Sequence, residues 1–193
     1  YTDVQIPGSV IVQTPTGVNF VGTVTNAGAA DFKGIEFEGS ALFTDNLSGA
    51  MSFGYIDAEY TEFVVGGVNL ASQRAVQNTP DWTGNATLNY STPFSLFGAG
   101  DLNIIGSASY RGDSQQFETP IALLDQEAFW LFDASVVWTR EDGKLKVGLH
   151  GKNLADERYI TSGYNFPGAG TDNSVLAFYG NPSTVTLSVD YSF

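Results

Sequence analysis

The sequence predicts an all-β fold of antiparallel strands, and three observations carry that prediction. Apolar and polar residues alternate over most of the 193 residues, which is the period of a strand with two different faces. Long and short connections follow each other in turn along the chain. No apolar run approaches the length of a membrane-spanning helix. Together these features are typical of an antiparallel β-barrel that crosses an outer membrane.

The first half of the chain contains the less regular strands. Strand 1–6 is predicted to end at Pro7, because proline has no amide proton to donate to a ladder. Residues 20–44 form one long predicted strand, in which residues 27–30 and Gly34 are bulge or kink points. The complete set of eight predicted strands is 1–6, 20–44, 47–60, 82–91, 101–111, 129–140, 144–153 and 183–193.

The second half alternates more strictly. The end of the chain shows it best, since polar residues separate Val185, Leu187, Val189, Tyr191 and Phe193. Between two such strands, the dipeptide Asp-Gly at 142–143 predicts a two-residue type I′ turn, and this turn sets the register of the hairpin. The expected pairs are Trp138 with Val147, Val136 with Leu149, Ser135 with His150 and Asp133 with Lys152.

Connection lengths distinguish a barrel from a soluble sandwich. Long loops are predicted at 7–19, 61–81, 112–128 and 154–182, whereas 45–46 and 141–143 are tight turns. An outer-membrane barrel places its tight turns at one end and its long loops at the other. We therefore expect all the long loops to lie together, while a soluble sandwich has no reason to sort its loops in this way.

Composition excludes several function classes. The formal net charge of −13 argues against nucleic-acid binding, which needs a basic surface. Cysteine is absent and His150 is the sole histidine, so thiolate and multi-histidine metal sites are excluded. The carboxylate pairs at 36/38 and 57/59 are expected to line water, and 156–157 lacks the spacing of a calcium loop. We therefore expect no enzymatic activity, no metal site and no cofactor.

Five short motifs resemble those of one family, the TonB-dependent outer-membrane receptors. They occur in the family's order and extend over nearly the whole chain. The chain departs from the family at Ser183, where the family usually has arginine. The motifs are Asn26-Ala27-Gly28 followed by Lys33-Gly34-Ile35-Glu36, then 54–60 (GYIDAEY), Thr79-Pro80, 153–159 (NLADERY) and Gly180-Asn181-Pro182.

The resemblance implies a 22-stranded barrel in the bacterial outer membrane, with residues 1–193 as its C-terminal portion of about eight strands. The N-terminal plug and the earlier strands would then be absent from this chain. The implied function is energy-coupled uptake of a scarce nutrient such as a ferric siderophore. The implied partners are that small ligand, the TonB complex through the missing N-terminal region, membrane lipid and the barrel-assembly machinery. Two alternatives stay open: a passive eight-stranded outer-membrane barrel, and a soluble all-β carbohydrate-binding domain.

Aromatic residues suggest three kinds of site. Those near strand ends are expected to form interfacial girdles; they are Trp82, Tyr90, Tyr110, Trp138, Tyr191 and Phe193. The last two also resemble the terminal signal of barrel assembly. The longest loop holds the candidate ligand-binding residues Arg158, Tyr159, Tyr164, Phe166 and Tyr179, which either contact ligand or pack the loop on itself.

Overall fold

A computed structural model describes residues 5–14, 17–26, 28–95, 98–166 and 174–193. Its strands are β1 (Gln5–Thr14), β2 (Gly17–Asn26), β3 (Gly28–Thr44), β4 (Leu47–Val65), β5 (Val68–Asn69), β6 (Trp82–Pro93), β7 (Gly100–Arg111), β8 (Phe129–Arg140), β9 (Leu145–Lys152), β10 (Ile160–Phe166), β11 (Ser174–Tyr179) and β12 (Thr184–Tyr191). A single 3₁₀ turn, Ala71–Gln73, is the helical element of this part of the chain. None of the helical structure described is long and apolar enough to cross a membrane.

The main sheet is an antiparallel meander. Its strand order is β3-β4-β6-β7-β8-β9-β12, and β5 pairs with β4. Two further hairpins, β1–β2 and β10–β11, form separate two-stranded sheets. Within the described residues, β3 and β12 each have a neighbour on one side only, so the main sheet is open there.

One face of the main sheet is apolar and uncovered. The ladders place Leu88, Ile104, Val136, Leu149 and Leu187 on this face, and all five are exposed. The buried hydrophobic residues among those described are Ala30, Phe63, Leu124, Phe129 and Trp138. A soluble sandwich would cover such a face with a second sheet. Single-layer packing with an exposed apolar face is instead the arrangement of a barrel wall in lipid.

Aromatic side chains border this apolar face at both ends. Toward the long loops, the ring centroids of Tyr55 and Trp82 are 4.6 Å apart, and those of Tyr110 and Trp130 are 4.9 Å apart. Toward the tight turns lie Tyr90, Trp138 and Tyr191, on the same face. Trp82 and Tyr90 are eight positions apart, or about 26 Å along a strand. With a typical tilt this spans about 20 Å, close to the apolar band of outer-membrane barrels.

Trp138 differs from the other girdle residues because it is buried. The indole Nε1 donates a hydrogen bond to the carbonyl oxygen of Phe94, just after β6, at 3.0 Å. Phe193 is fully exposed at the end of the chain, and its ring contacts Tyr191 edge to face at 5.2 Å.

The opposite face of the sheet is polar. Asn103 donates to Asn89 across the strands at 2.7 Å, and Asn85 donates to Ser109 at 3.0 Å. Both ring nitrogens of His150 lie in hydrogen-bond range of serine hydroxyls, at 3.0 Å from Ser135 and 3.1 Å from Ser188. A histidine with both nitrogens engaged in this way is a structural residue of the wall. The two carboxylate pairs lie on different faces of the sheet. Glu36 and Glu38 are on the polar face, and Asp57 and Glu59 are on the side of the apolar face.

The predicted strand boundaries were wrong at the start of the chain. Residues 1–4 lie outside the described residues, and the predicted loop 7–19 is largely the hairpin β1–β2, in which Pro7 pairs with Val24. The predicted strand 20–44 is divided into β2 and β3, and its kink point at residue 27 also lies outside the described residues. Loop 61–81 is shorter than expected because β4 continues to Val65, and loop 154–182 contains the hairpin β10–β11.

The β8–β9 hairpin has the predicted register but a different turn. Ser135 pairs with His150, Val136 with Leu149 and Trp138 with Val147, as expected. A type I′ turn needs positive φ at both central residues, but in this turn only Gly143 has one, at 71°. The Gly143 amide donates to the Arg140 carbonyl oxygen at 2.7 Å. The predicted Asp133–Lys152 pair is not part of the ladder, which ends at Ala134 and Gly151.

The carboxyl group of Asp142 holds this turn together. It accepts two hydrogen bonds from the Arg140 guanidinium, at 2.8 and 2.7 Å, and one from the Lys144 amide at 2.9 Å. The bonds from Arg140, followed by that from Lys144, lower the pKa of Asp142 below its ordinary value. The ordering of the turn by Asp142 is therefore complete above the ordinary pKa and is lost as the pH falls through the lowered one.

This pKa can be measured by ¹³C NMR on the protein in detergent, with carboxyl-labelled aspartate. We expect the Asp142 signal, assigned by its absence in Asp142→Asn, to titrate below the ordinary pKa of an aspartate. Arg140→Gln is expected to raise that midpoint. An Asp142 midpoint that is unchanged by Arg140→Gln would show that the guanidinium does not control this carboxyl group.

Candidate functional site

Three long connections meet at one end of the main sheet, and we call their described residues, 66–81, 112–128, 153–166 and 174–183, the loop cluster. Gln77 donates to the carboxylate of Glu118 at 2.7 Å, and the Asn78 amide donates to the Gln115 carbonyl oxygen at 2.8 Å. The amide of Ile160 donates to the side chain of Gln126. These bonds confirm that three of the predicted long loops lie together. The fourth, 7–19, is the strand hairpin already described.

The short connections lie together at the opposite end. The Ser91 amide donates to the Asn46 carbonyl oxygen at 2.9 Å, and the Glu141 amide donates to the Ala99 carbonyl oxygen at 2.9 Å. The predicted sorting of tight turns and long loops is therefore confirmed for this sheet.

A hydrogen-bonded clasp holds both ends of the longest loop, and it consists of Asp133, Asn153, Asp156, Asn181 and Ser183. The Asn153 amide donates to the Asp133 carboxylate at 2.8 Å, and its side-chain nitrogen donates to the Asn181 carbonyl oxygen at 3.0 Å. The same side chain exchanges hydrogen bonds with the backbone of Glu157, at 2.8 and 2.9 Å. Asn153 is 5% exposed, so few of these bonds can be replaced by water.

Backbone conformation explains the residue types in the clasp. Asn153 and Asp156 have positive φ angles of 47° and 52°, a region that asparagine and aspartate enter more readily than most residues. The Asp156 carboxylate accepts a hydrogen bond from the Ser183 amide at 2.8 Å. Asp156 is thus used to hold the start of β12. The described residues contain no cluster of histidine, aspartate and glutamate suited to a metal ion.

The hairpin β10–β11 presents one packed face and one exposed aromatic face. On the packed face, a Cβ at Gly163 would collide with the side chain of Leu124, which is fully buried. On the exposed face, Tyr164 lies 6.0 Å from Phe166 and 5.9 Å from Phe178, measured between ring centroids. Two of the predicted ligand-binding residues, Tyr164 and Phe166, therefore lie side by side and open to solvent.

The other three predicted residues lie at the base of this hairpin. The guanidinium carbon of Arg158 is 4.0 Å from the ring centroid of Tyr179, a cation–π contact between two exposed side chains. The ring of Tyr159 stacks on Phe129 with centroids 4.7 Å apart and planes 15° apart. The structure thus pairs Arg158 with Tyr179, pairs Tyr164 with Phe166 and places the ring of Tyr159 against the first residue of β8.

A cavity of about 390 Å³ opens where the loop cluster meets the polar face of the sheet, and we call it the mouth cavity. Its lining includes Asn78, Arg111, Ser114, Phe129, Tyr159 and Thr161. Of these, sequence reasoning singled out Tyr159 alone. Arg111 ends a strand of the polar wall and carries no distinguishing motif, so alternation marks it only as inward-facing.

Two groups in the mouth cavity have unused hydrogen-bonding capacity. The Ser114 hydroxyl is buried, at 1% exposure for the residue, and has no hydrogen-bond partner. Arg111 donates from Nη2 to the Asn78 carbonyl oxygen at 3.0 Å. The ion pairs found in the described part of the chain are Lys33–Asp31 and Arg140–Asp142. No carboxylate described in the structure therefore neutralises Arg111.

Comparisons with known proteins agree on one family. The profile described as "TonB dependent receptor-like, beta-barrel" matches residues 2–154. The pesticin receptor of Yersinia enterocolitica is 27% identical over 145 residues, which cover 74% of this chain and 20% of that protein.

Solved structures share the fold. The ferric yersiniabactin uptake receptor of Yersinia pestis superposes with a TM-score of 0.72 at 23% identity, over 89% of this chain and 25% of that one. A siderophore receptor of Acinetobacter baumannii gives a TM-score of 0.65 at 19% identity, over 97% of this chain and 25% of that one. The chain thus spans only a fifth to a quarter of these relatives.

The family match covers more than half of the chain and agrees with the meander, the exposed apolar face and the two rows of aromatic side chains. Receptors of this family are transporters rather than enzymes, and they lie in the bacterial outer membrane. The chain therefore belongs to the TonB-dependent receptor family and forms part of its outer-membrane β-barrel.

Proposed function

We propose that this chain is the C-terminal portion of a receptor for energy-coupled uptake of a ferric siderophore. The observation that carries the proposal is the loop cluster, which holds exposed aromatic rings over the polar face of the wall and lies next to the unneutralised Arg111 at the end of β7. The named relatives include a receptor for ferric yersiniabactin and a siderophore receptor, which supports the substrate class. Aromatic and guanidinium groups suit ligands of mixed apolar and anionic character.

The wall supports passage rather than chemistry. Its polar face presents serine, threonine and asparagine side chains that are bonded to each other across strands, as in Asn103–Asn89. His150, the residue best suited to acid–base work, has both nitrogens held by serines. A polar ligand can move past a lining of this kind, and the hydrogen-bonded side chains of the lining do not form a reactive group.

In this proposal, the rest of the receptor supplies the other barrel strands, the plug and the region that couples to TonB. The outer edges of β3 and β12 have no partner among the described residues, and lipid does not tolerate unpaired backbone groups. Strands outside this chain therefore pair with β12 and, together with the strands of this chain, close a 22-stranded barrel around an N-terminal plug. Coupling to the TonB complex occurs through that N-terminal region. Tyr191 and Phe193, both exposed, form the terminal signal for the barrel-assembly machinery.

Removal of the hairpin β10–β11 tests the capture role. Ile160 pairs with Tyr179, so an Asn-Gly turn in place of residues 161–178 closes the strands without disturbing the clasp. In the full-length receptor we expect normal abundance in the outer membrane and at least tenfold less uptake of ⁵⁵Fe-loaded siderophores under iron limitation. Unchanged uptake at normal abundance would remove the hairpin from the capture site.

Two further variants sharpen the test. Tyr164→Ser combined with Phe166→Ser removes exposed rings from the loop cluster, whereas Phe94→Ser removes an exposed ring from the tight-turn end. We expect the first to reduce uptake severalfold and the second to have no effect. Uptake should also require the TonB protein of the host cell. Transport that persists without TonB would favour the passive-barrel alternative.

A further inference from the structure

We propose that the mouth cavity binds a carboxylate group of the transported ligand, with Arg111 as its ionic anchor and Ser114 as its second donor. This inference rests on the proposed uptake function and assigns one chemical group to one place on the barrel wall. It differs from the expectation based on the sequence, which placed the cation of the capture site at Arg158 in the longest loop.

The position of Arg111 is fixed by its backbone. It is the last residue of β7 and pairs with Thr83 on one side and Phe129 on the other. The next residue, Gly112, donates from its amide to the Trp82 carbonyl oxygen at 2.8 Å, which extends the ladder past Arg111. The side chain therefore begins from a rigid strand end on the polar face, where a ligand entering the barrel would pass.

No carboxylate in the described structure forms an ion pair with the Arg111 guanidinium. One guanidinium nitrogen donates to a neutral acceptor, the Asn78 carbonyl oxygen, which orients the group without neutralising it. A guanidinium has five N–H donors in a planar fork that matches the two oxygens of a carboxylate. The chain as a whole has a net charge of −13. An unneutralised cation therefore distinguishes this cavity from the rest of the chain and favours an anionic group there.

Ser114 supplies an independent observation. Its hydroxyl is buried and has no partner, a state that costs free energy unless a bound group completes it. Its backbone is well held, since Ser114 and Gln126 exchange two amide-to-carbonyl hydrogen bonds of 2.9 Å. Ser114 lines the same cavity as Arg111. An anion in the cavity would accept a hydrogen bond from Ser114 while it pairs with Arg111.

The wall residues and the volume of the mouth cavity determine which chemical group of a ligand fits it. Phe129 and Tyr159 stack on each other and form an apolar side of the cavity. A volume of about 390 Å³ is at the small end for ligand pockets and suits one arm of a larger molecule. One cation and one hydroxyl match a singly charged, planar carboxylate better than a doubly charged phosphate. An aryl carboxylate uses both the polar donors and the aromatic wall.

Benzoate, benzamide and phenyl phosphate serve as probes for the full-length receptor in detergent, with binding followed by saturation-transfer NMR. We expect benzoate to bind in the millimolar range, and benzamide and phenyl phosphate to bind at least fivefold more weakly. Arg111→Gln should weaken benzoate at least tenfold and Ser114→Ala about threefold. Lys144→Gln removes the same charge at the opposite end and should change nothing.

The outcomes separate this inference from the proposed uptake function. Equal binding of benzoate and benzamide, or benzoate binding that survives Arg111→Gln, overturns the carboxylate site even if the receptor takes up ferric siderophores. Tighter binding of phenyl phosphate overturns the assignment to a carboxylate. If the receptor transports no siderophore but benzoate still binds through Arg111, the site stands and the uptake proposal fails.

Discussion

Replacing Asn153 with alanine is expected to release the loop between β9 and β12 from the barrel wall. The side chain of Asn153 makes three hydrogen bonds to backbone groups of Glu157 and Asn181, and the residue is almost fully buried. Alanine leaves those backbone groups without partners, at about 1–3 kcal/mol for each unsatisfied group. Alanine also tolerates the positive φ of 47° poorly. We therefore expect a local destabilisation of about 3 kcal/mol.

Amide hydrogen exchange on the purified receptor measures this effect. Residues 154–166 and 174–183 should exchange on the order of a hundred times faster in Asn153→Ala, because exchange follows the local opening free energy. Residues of β6 and β7 should be unaffected. Asn153→Gly is the matched control, since glycine accepts the backbone conformation but lacks the side chain. If Asn153→Gly retained full protection, backbone strain and not the lost hydrogen bonds would explain the alanine result.

Placing arginine at Ala86 is expected to impair assembly of the barrel in the membrane. Ala86 lies on the apolar face, four residues from Trp82 and four from Tyr90. That position is near the middle of the apolar band, where a charged side chain on the lipid face costs about 2–4 kcal/mol. We expect Ala86→Arg to reduce the folded, outer-membrane fraction of the receptor severalfold, measured by membrane fractionation and by heat-modifiable mobility.

The adjacent residue provides the control for this prediction. Thr87 is on the polar face, opposite Ser107 and Ala50, so Thr87→Arg adds the same side chain to the water-filled interior. We expect near-normal abundance for this variant. An equal loss of the folded, outer-membrane fraction in both variants would mean that side-chain bulk or charge at this depth in the membrane, and not contact with lipid, impairs assembly.

Strand prediction succeeded where the two faces of a strand are exposed to different environments. Strands β6 to β9 were expected to within about two residues at most ends, because lipid on one side and water on the other enforce strict alternation. Strand prediction failed at residues 7–19 because Pro7 does not end a strand there but pairs with Val24. Proline is tolerated in a strand that has a free edge, and β1 pairs with β2 alone among the described strands.

The candidate site was only partly predictable. Tyr164 and Phe166 were identified because aromatic residues concentrate in the longest loop, and their contact follows from a hairpin that no alternation revealed. Arg111 and Ser114 could not be identified in this way, since their proximity to Tyr159 depends on how separate loops pack. Ser114 gains its significance from burial, which a serine in a polar stretch does not signal. Contacts across 45 residues of sequence are set by the tertiary fold.

The clasp has a consequence for how such receptors diversify. It ties residue 153 to residue 181 and residue 156 to residue 183, so the distance between the end of β9 and the start of β12 is set below the hairpin β10–β11. Insertions, deletions or exchanges within residues 161–178 then change the outer surface without altering the strand ladder that anchors the chain in lipid. The hairpin is thus a module that evolution, or an engineer grafting a new recognition surface, can replace independently of the barrel.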